Sequence, residues 1–292
     1  MDTDKLVKYL KEEKKASDNT VQAYLRDVKH FSEYVYGRGV YAIENATNTD
    51  VVGYVMKLKE DGKTKATINR KLASIRMVYN YLIKEGSIKT NPAEDIKTPR
   101  IEKKTIEFLS VEEMNSLFEV KDESEKGIRN MAILELLYAT GIRATELIDL
   151  KLSDCNLRMG FIKCDGEHSK ARIIPMGRPC RNAMEKYVYD IRPVLLKDHD
   201  CDNLFINYMG GTLTRQGLWK ILKELGESAG LERSLTPQMI RNSFAVHMLQ
   251  NGADVKSLQE LMGHEDIAAT QAYLAVTKNR IKDVYDKSHP RA

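Results

Sequence analysis

Tyr273 and His264 lie nine residues apart in the stretch LMGHEDIAATQAYL, with a turn between them, so helical spacing alone does not place them on one face. A tyrosine phenol has a pKa of about 10 and is mostly neutral at pH 7, and nearby cations favour its phenolate. A reactive Tyr273 therefore needs cationic partners from elsewhere in the chain. Arg143, in ATGIRATEL, directly follows an almost wholly apolar stretch and Gly141. It could point at an anion in a cleft, held by Glu146 three residues on. Arg241 lies among Ile240, Phe244, Met248 and Leu249, and Lys170 sits in GEHSKARIIP, a turn between strands. Each also has an ordinary reading: a half-buried aromatic, a local Arg143–Glu146 pair, a surface arginine, a solvated lysine. Residue types alone leave both readings open.

The elements that must position these groups are mostly helical. The segments SDNTVQAYLRDVKHFSEYVYGRG, TNTDVVGYVMKLKEDG and TKATINRKLASIRMVYNYLIKEG each open on capping residues and close on glycine. In the last, Ile68, Leu72, Ile75, Tyr79 and Leu82 share one face at helical spacing. Lys65, Asn69, Arg76 and Asn80 share another, which offers cations for phosphate and amides for base edges. A solvated face is equally polar. SIKTNPAEDIKTPRIEKKT, with two prolines and many charges, reads as a linker. The expected division is 1–86, a helical domain; 87–105, linker; and 106–292, a second, mixed domain with a tail.

In the later part GIRNMAILELLYATG predicts a buried helix stopped by Gly141, and NLRMGFIKCDGEHSKARIIPMG predicts short strands and turns. RPCRNAMEKYVYDIRPVLL, TRQGLWKILKELGESAG and TPQMIRNSFAVHMLQNG predict helices, the third opening on a Thr-Pro cap pair. The chain after Asp254 is helical again.

Composition bounds the function. At 292 residues, 42% hydrophobic and 30% charged, the chain is ordinary for about two soluble domains. It has no apolar run of membrane length and an N-terminus, MDTDKLVKYLKEEKK, without a signal core, so a cytoplasmic protein is expected. Cys155, Cys164, Cys180 and Cys201 lack CxxC spacing, and no metal or cofactor is expected. Residues 1–105 carry 21 Lys and Arg against 15 Asp and Glu; residues 106–292 carry 25 against 27. The basic first part suits a polyanion such as nucleic acid, or merely a lysine-rich surface.

The order of the motifs departs from chance: ATGIRATEL, then SKARIIP, then TPQMIRNSFAVHML, then LMGHEDIAATQAYL. The sequence here resembles the tyrosine recombinase (phage integrase) family, most closely its bacterial Xer-type members. NTVQAYLRDVKHF, TINRKLASIRMVYNYLIKEGSIKTNPA, FLSVEEM and the final HPRA extend the resemblance over nearly the whole chain. The resemblance implies a mainly α fold with a small β-sheet. It would form a two-domain clamp on duplex DNA, an N-terminal helical core-binding (SAM-like) domain plus a catalytic domain. It implies that Arg143 and Arg241 clamp the scissile phosphate, that Lys170 protonates the leaving oxygen, that His264 is a further phosphate ligand and that Tyr273 is the nucleophile. The family's usual histidine three residues before the second arginine is here Gln238, and Asn242 follows Arg241 where many relatives carry another histidine.

These types suit phosphodiester exchange. The transition state gathers charge on the non-bridging oxygens, and guanidiniums grip such oxygens with paired hydrogen bonds. By the resemblance, attack leaves a 3′-phosphotyrosine and a 5′-hydroxyl. One ester replaces another, so no ATP is needed; consistently, no GxxxxGK[ST] occurs. Gln238 can donate an amide hydrogen to a phosphate oxygen but cannot shuttle a proton. The expected partners are a double-stranded recombination site and further protomers in a synaptic tetramer, or a second recombinase. Ile281, Val284 and Tyr285 of the tail would dock on a neighbour. The alternatives are a site-specific DNA-binding protein attenuated at Gln238 and a nicking–resealing enzyme that relaxes supercoils. A metal nuclease fits least.

Overall fold

The computed structural model describes residues 2–100, 105–166, 169–264 and 266–274, the side chains of Ser169 and Lys170 excepted. The chain divides into two units, residues 1–104 and 105–292.

The first unit holds α1 (Thr3–Glu12), α2 (Asp18–Tyr36), α3 (Asn48–Glu60) and α4 (Lys65–Lys84). Each N-terminus carries the cap its sequence announces. Ser17 and Thr64 accept from the third backbone N–H of α2 and α4, and Thr47 with Asp50 closes a capping box on α3. The stripe Ile68, Leu72, Ile75, Tyr79 and Leu82 is buried, against Phe31, Val51 and Tyr54 among others. Helices α2 and α4 are also joined by a buried polar knot. Asp27, 1% exposed, accepts from Arg70, from Lys71 at 3.2 Å and from Ser74 at 2.9 Å. A buried carboxylate is tolerated when so partnered.

The polar face of α4 makes bonds within its own unit. Arg76 donates to the carbonyls of Ala93, at 2.9 Å, and of Ile96. Asn80 accepts from Asn91 at 2.8 Å, and Asn69 donates to the Pro99 carbonyl at 2.9 Å. Three of the four side chains assigned to nucleic acid thus hold the chain's own segment 91–99, while Lys65 is exposed. The reason is that this segment's backbone carbonyls need donors and α4 supplies them. The same bonds hold residues 91–99 of the expected linker against α4. Its first part is packed, with Ala93 wholly buried in the first unit's core.

The second unit begins with α5 (Val111–Phe118), α6 (Glu125–Thr140) and α7 (Ala144–Asp149). A three-stranded antiparallel sheet follows, β1 (Cys155–Asn156), β2 (Phe161–Gly166) and β3 (Ser169–Pro175), in that order. Then come α8 (Arg178–Glu185), α9 (Arg192–Leu196), α10 (Arg215–Ser228), α11 (Pro237–Gln250), α12 (Val255–Met262) and a helical stretch at 267–274. The single helix expected over 178–196 is instead broken by a π turn, Lys186–Ile191. Pro193 lacks an N–H and its ring crowds the carbonyl four residues back, so the helix widens just before it.

Helix α6 is buried nearly all round and forms the centre of the core with Ile162, Ile174, Leu218 and Ile240. A second cluster, Phe244, Ala245, Val246, Leu258, Met262 and Tyr273, joins α11, α12 and the 267–274 stretch. No helix among the described residues is long and apolar enough to cross a membrane. The tail positions Ile281, Val284 and Tyr285 lie outside the described residues.

Candidate active site

Helices α6 and α12 both end on a glycine in the left-handed conformation, Gly141 at φ +57° and Gly263 at φ +62°. Neither position has room for a Cβ. At Gly141 it would lie 2.3 Å from the Phe244 ring, and at Gly263 2.8 Å from the Arg172 guanidinium. These turns leave the last carbonyls of each helix without intrahelical donors, at the negative end of the helix dipole.

Three arginines supply the donors. On the last turn of α12, Arg172 donates to the Leu261 carbonyl at 2.7 Å and Arg241 to Met262 at 2.7 Å. Arg143 donates to Gly263 at 3.0 Å. Arg241 also donates to the Gly141 carbonyl. Thus β3, the N-cap of α7 and α11 each send one guanidinium to one helix end. Among the described contacts one carboxylate, Glu146, faces all this charge. It accepts from Arg143 at 3.0 Å and from both terminal nitrogens of Arg172, at 2.8 and 2.9 Å. Its other oxygen also takes the Arg143 backbone N–H at 2.8 Å, closing a cap on α7. The Arg143 side chain is 31% exposed, whereas that of Arg172 is 7% exposed. Arg143 is therefore the cation with room to reach a ligand. Burial, with Arg143 beside it, lowers the Arg241 pKa to about 10, which leaves it charged at neutral pH.

Arg172 was not singled out from the sequence, although SKARIIP was. Its signal was strand phase. Arg172 shares a parity on β3 with buried Ile174, while Ile173 is 62% exposed. The paired isoleucines blur that alternation. Arg172→Met should break the paired hydrogen bonds to Glu146 and leave that mostly buried carboxylate only partly compensated, by Arg143. The expected cost is about 3 kcal/mol of stability, read as a lower urea midpoint with an unchanged slope. An unchanged midpoint would remove Arg172 from this frame.

His264 reaches Arg241 through Nε2 at 3.0 Å and Thr270 Oγ1 through Nδ1 at 2.9 Å. A guanidinium only donates, so Nε2 is the acceptor and Nδ1 carries the hydrogen, donating it to Thr270. His264 is thus tied to both Arg241 and the 267–274 stretch. Burial, then Arg241, Arg143 and Arg172, lower its pKa to about 4. The unfolded chain therefore binds this proton more readily than the folded one between pH 6.5 and 4. Stability from His264 is fully present above pH 6.5 and falls as pH drops through that window. In His264→Gln the acid limb of the Tm–pH curve should flatten there; a curve identical to the parent's would contradict the buried neutral ring.

Tyr273, 6% exposed, donates to Asn242 Oδ1 at 3.0 Å. Burial raises its pKa, opposed by Arg241 and Arg143, so the resting phenol is neutral. Gln238 does not present a free amide. Its Nε2 donates to the same Asn242 Oδ1 at 2.8 Å. Lys170 lies on β3 two residues before Arg172, and its side chain is outside the described residues.

The site thus unites Arg143, Arg241, His264 and Tyr273, from α7, α11, the turn after α12 and the 267–274 stretch. Known proteins carry the same architecture. Residues 107–280 match the phage integrase family, and residues 4–86 match its N-terminal SAM-like domain. The chain is 44% identical to the tyrosine recombinase XerD of Oceanobacillus iheyensis over 97% of its own length and 96% of that protein's. It is 41% identical to XerD of Listeria innocua, covering 99% and 98%. The fold is similar to that of XerH recombinase in a post-cleavage complex with its palindromic difH substrate. There the TM-score is 0.75 at 22% identity, with 97% of this chain and 84% of that one covered. It is equally similar to the Tn1549 transposon integrase in complex with transposon right end DNA, at TM-score 0.75 and 19% identity, with 99% of both chains covered. With both of its parts matched, and with relatives this similar along its whole length, the chain belongs to the phage integrase family, as a tyrosine recombinase of the Xer type.

Proposed function

We propose that this site-specific recombinase cuts and rejoins duplex DNA through Tyr273, with Arg143 and Arg241 as the phosphate clamp. The carrying observation is that three guanidiniums meet one helix end with one carboxylate among their described contacts. Such an excess of fixed positive charge suits an incoming phosphodiester. Tyr273 is electrostatically coupled to two of the three.

In the step itself, the phenol gives its proton to water and its oxygen bonds to phosphorus. The bond from phosphorus to the 5′ oxygen breaks, and that oxygen leaves as a hydroxyl after taking a proton from Lys170. The strand stays on Tyr273 as a 3′-phosphotyrosine until a 5′-hydroxyl, its own or a partner strand's, reverses the step. Arg143 and Arg241 hold the non-bridging oxygens as charge develops on them. His264 and Glu146 act through the arginines, by fixing their orientation.

The XerH and Tn1549 relatives are seen on their DNA sites, and a lambda integrase as a dimer on a core site. For this chain the reading is a protein of the cytoplasm whose two units each bind duplex DNA. Four protomers, two per duplex, would assemble with the tail after Thr277 as the coupling element. The test is strand exchange between two labelled duplexes bearing the site, in EDTA and without ATP. Recombinant product is expected. Relaxation of supercoils by a monomer with no exchange, or tight binding with no cleavage, would overturn the exchange reading.

A further inference from the structure

Gln238 lies on the first turn of α11, and its amide hydrogen goes to Asn242. Asn242 is 8% exposed, and its own amide nitrogen donates to the Glu107 carbonyl at 2.8 Å. That bond fixes which end of the amide is oxygen and aims Oδ1 at two donors, Gln238 Nε2 at 2.8 Å and the Tyr273 hydroxyl at 3.0 Å. Gln238 and Asn242 are one helical turn apart on α11, so they meet along one face. Thr236 caps that helix, and Pro237 occupies its first position.

We propose that Asn242 is the positioning residue of Tyr273, and that Gln238 acts through Asn242 rather than on the phosphate. This rests on the reading of Tyr273 as the nucleophile. Asn242 cannot take the phenol's proton, because an amide oxygen is too weak a base. What it does is hold the hydroxyl at one place in the α11–α12 cluster, with the proton on the Asn242 side. Gln238 keeps the Asn242 carbonyl polarised and prevents the amide from turning away. A histidine pair at 238 and 242 would offer different donors and acceptors, so the two positions function as a unit.

Two independent readouts test the role of Asn242. The first needs no catalysis. A fluorinated tyrosine whose phenol ionises near neutral pH is placed at 273, and its ionisation is followed by fluorine NMR. A hydrogen bond donated to a neutral acceptor favours the protonated phenol. Asn242→Ala should therefore raise the acid dissociation constant about threefold or more. Gln238→Leu should move it in the same direction or leave it between the two. Asn242→Asp, which keeps the acceptor and adds charge, should lower it. An unchanged constant in Asn242→Ala alongside a folded protein would overturn the proposal.

The second readout is a double-mutant cycle on the rate of covalent adduct formation with a nicked suicide duplex. Asn242→Ala is expected to slow it about tenfold, Gln238→Leu less, and the double variant no more than Asn242→Ala alone. The pH profile should move to lower pH in Asn242→Ala. Losses that multiply, with the profile unmoved in both, would place Gln238 on the phosphate instead. If the parent forms no adduct, the nucleophile reading falls, and the ionisation constants still decide whether Asn242 holds Tyr273.

Discussion

Tyr273→Phe is expected to abolish the covalent protein–DNA adduct while leaving affinity for the site unchanged. The substitution removes one oxygen. It leaves the ring in the cluster of Phe244, Val246, Leu258 and Met262, where burial of the aromatic body does the packing. The lost hydrogen bond to Asn242 should cost about 1 kcal/mol of stability, seen as a small fall in Tm. Because the fold and the arginine cluster persist, binding and chemistry separate cleanly. Adduct on a suicide duplex is read on a denaturing gel, and affinity by titration of the same duplex. An adduct that survives in Tyr273→Phe would move the nucleophile elsewhere.

Arg143→Ala should lower the rate of adduct formation by about 10²–10³, with little loss of stability. Both expectations come from where the guanidinium sits. It is the most exposed of the three, and Glu146 keeps its paired bonds to Arg172 when Arg143 is gone. The cap on α7 also survives, since it uses the Arg143 backbone N–H. What disappears is a fixed double donor beside the phosphate. Arg143→Lys should recover only part of the rate, because an ammonium supplies charge without the planar fork. Arg241→Ala contrasts with it. That side chain is buried and satisfies the carbonyls of Gly141 and Met262, so its loss should lower the Tm as well as the rate. Single-turnover rates and thermal melts on the same three variants check the set. Equal rates in parent and Arg143→Ala would remove Arg143 from the clamp.

Much of this was legible before any coordinates. Caps and glycines marked helix limits because they are local: Ser17, Thr47, Thr64, Thr236 and Gly141 each act within one turn of themselves. The Arg143–Glu146 pair was readable for the same reason, being three residues apart. What was not legible depends on distant partners. Arg172 meets Glu146 across 26 residues of sequence and an isoleucine pair that hides strand phase. The polar face of α4 reads the same whether it meets water, DNA or the chain itself. Only the fold shows Asn69, Arg76 and Asn80 tied to segment 91–99. Gln238 drew attention as a departure from the family, but its role turns on Asn242, which in turn is oriented by Glu107, 135 residues away. A motif names the positions, and it leaves unsaid which side chain each one bonds.

The central claim is that the Tyr273 oxygen becomes bonded to DNA phosphorus in a pocket of arginines. The direct measurement is to trap the adduct in EDTA on a nicked suicide duplex, digest protein and DNA, and locate the remaining nucleotide by mass spectrometry. The expected result is a phosphonucleotide on the peptide containing Tyr273, absent from Tyr273→Phe and strongly reduced in Arg143→Ala. A nucleotide on any other residue, or cleavage that appears only when a divalent metal is added, would contradict the assignment.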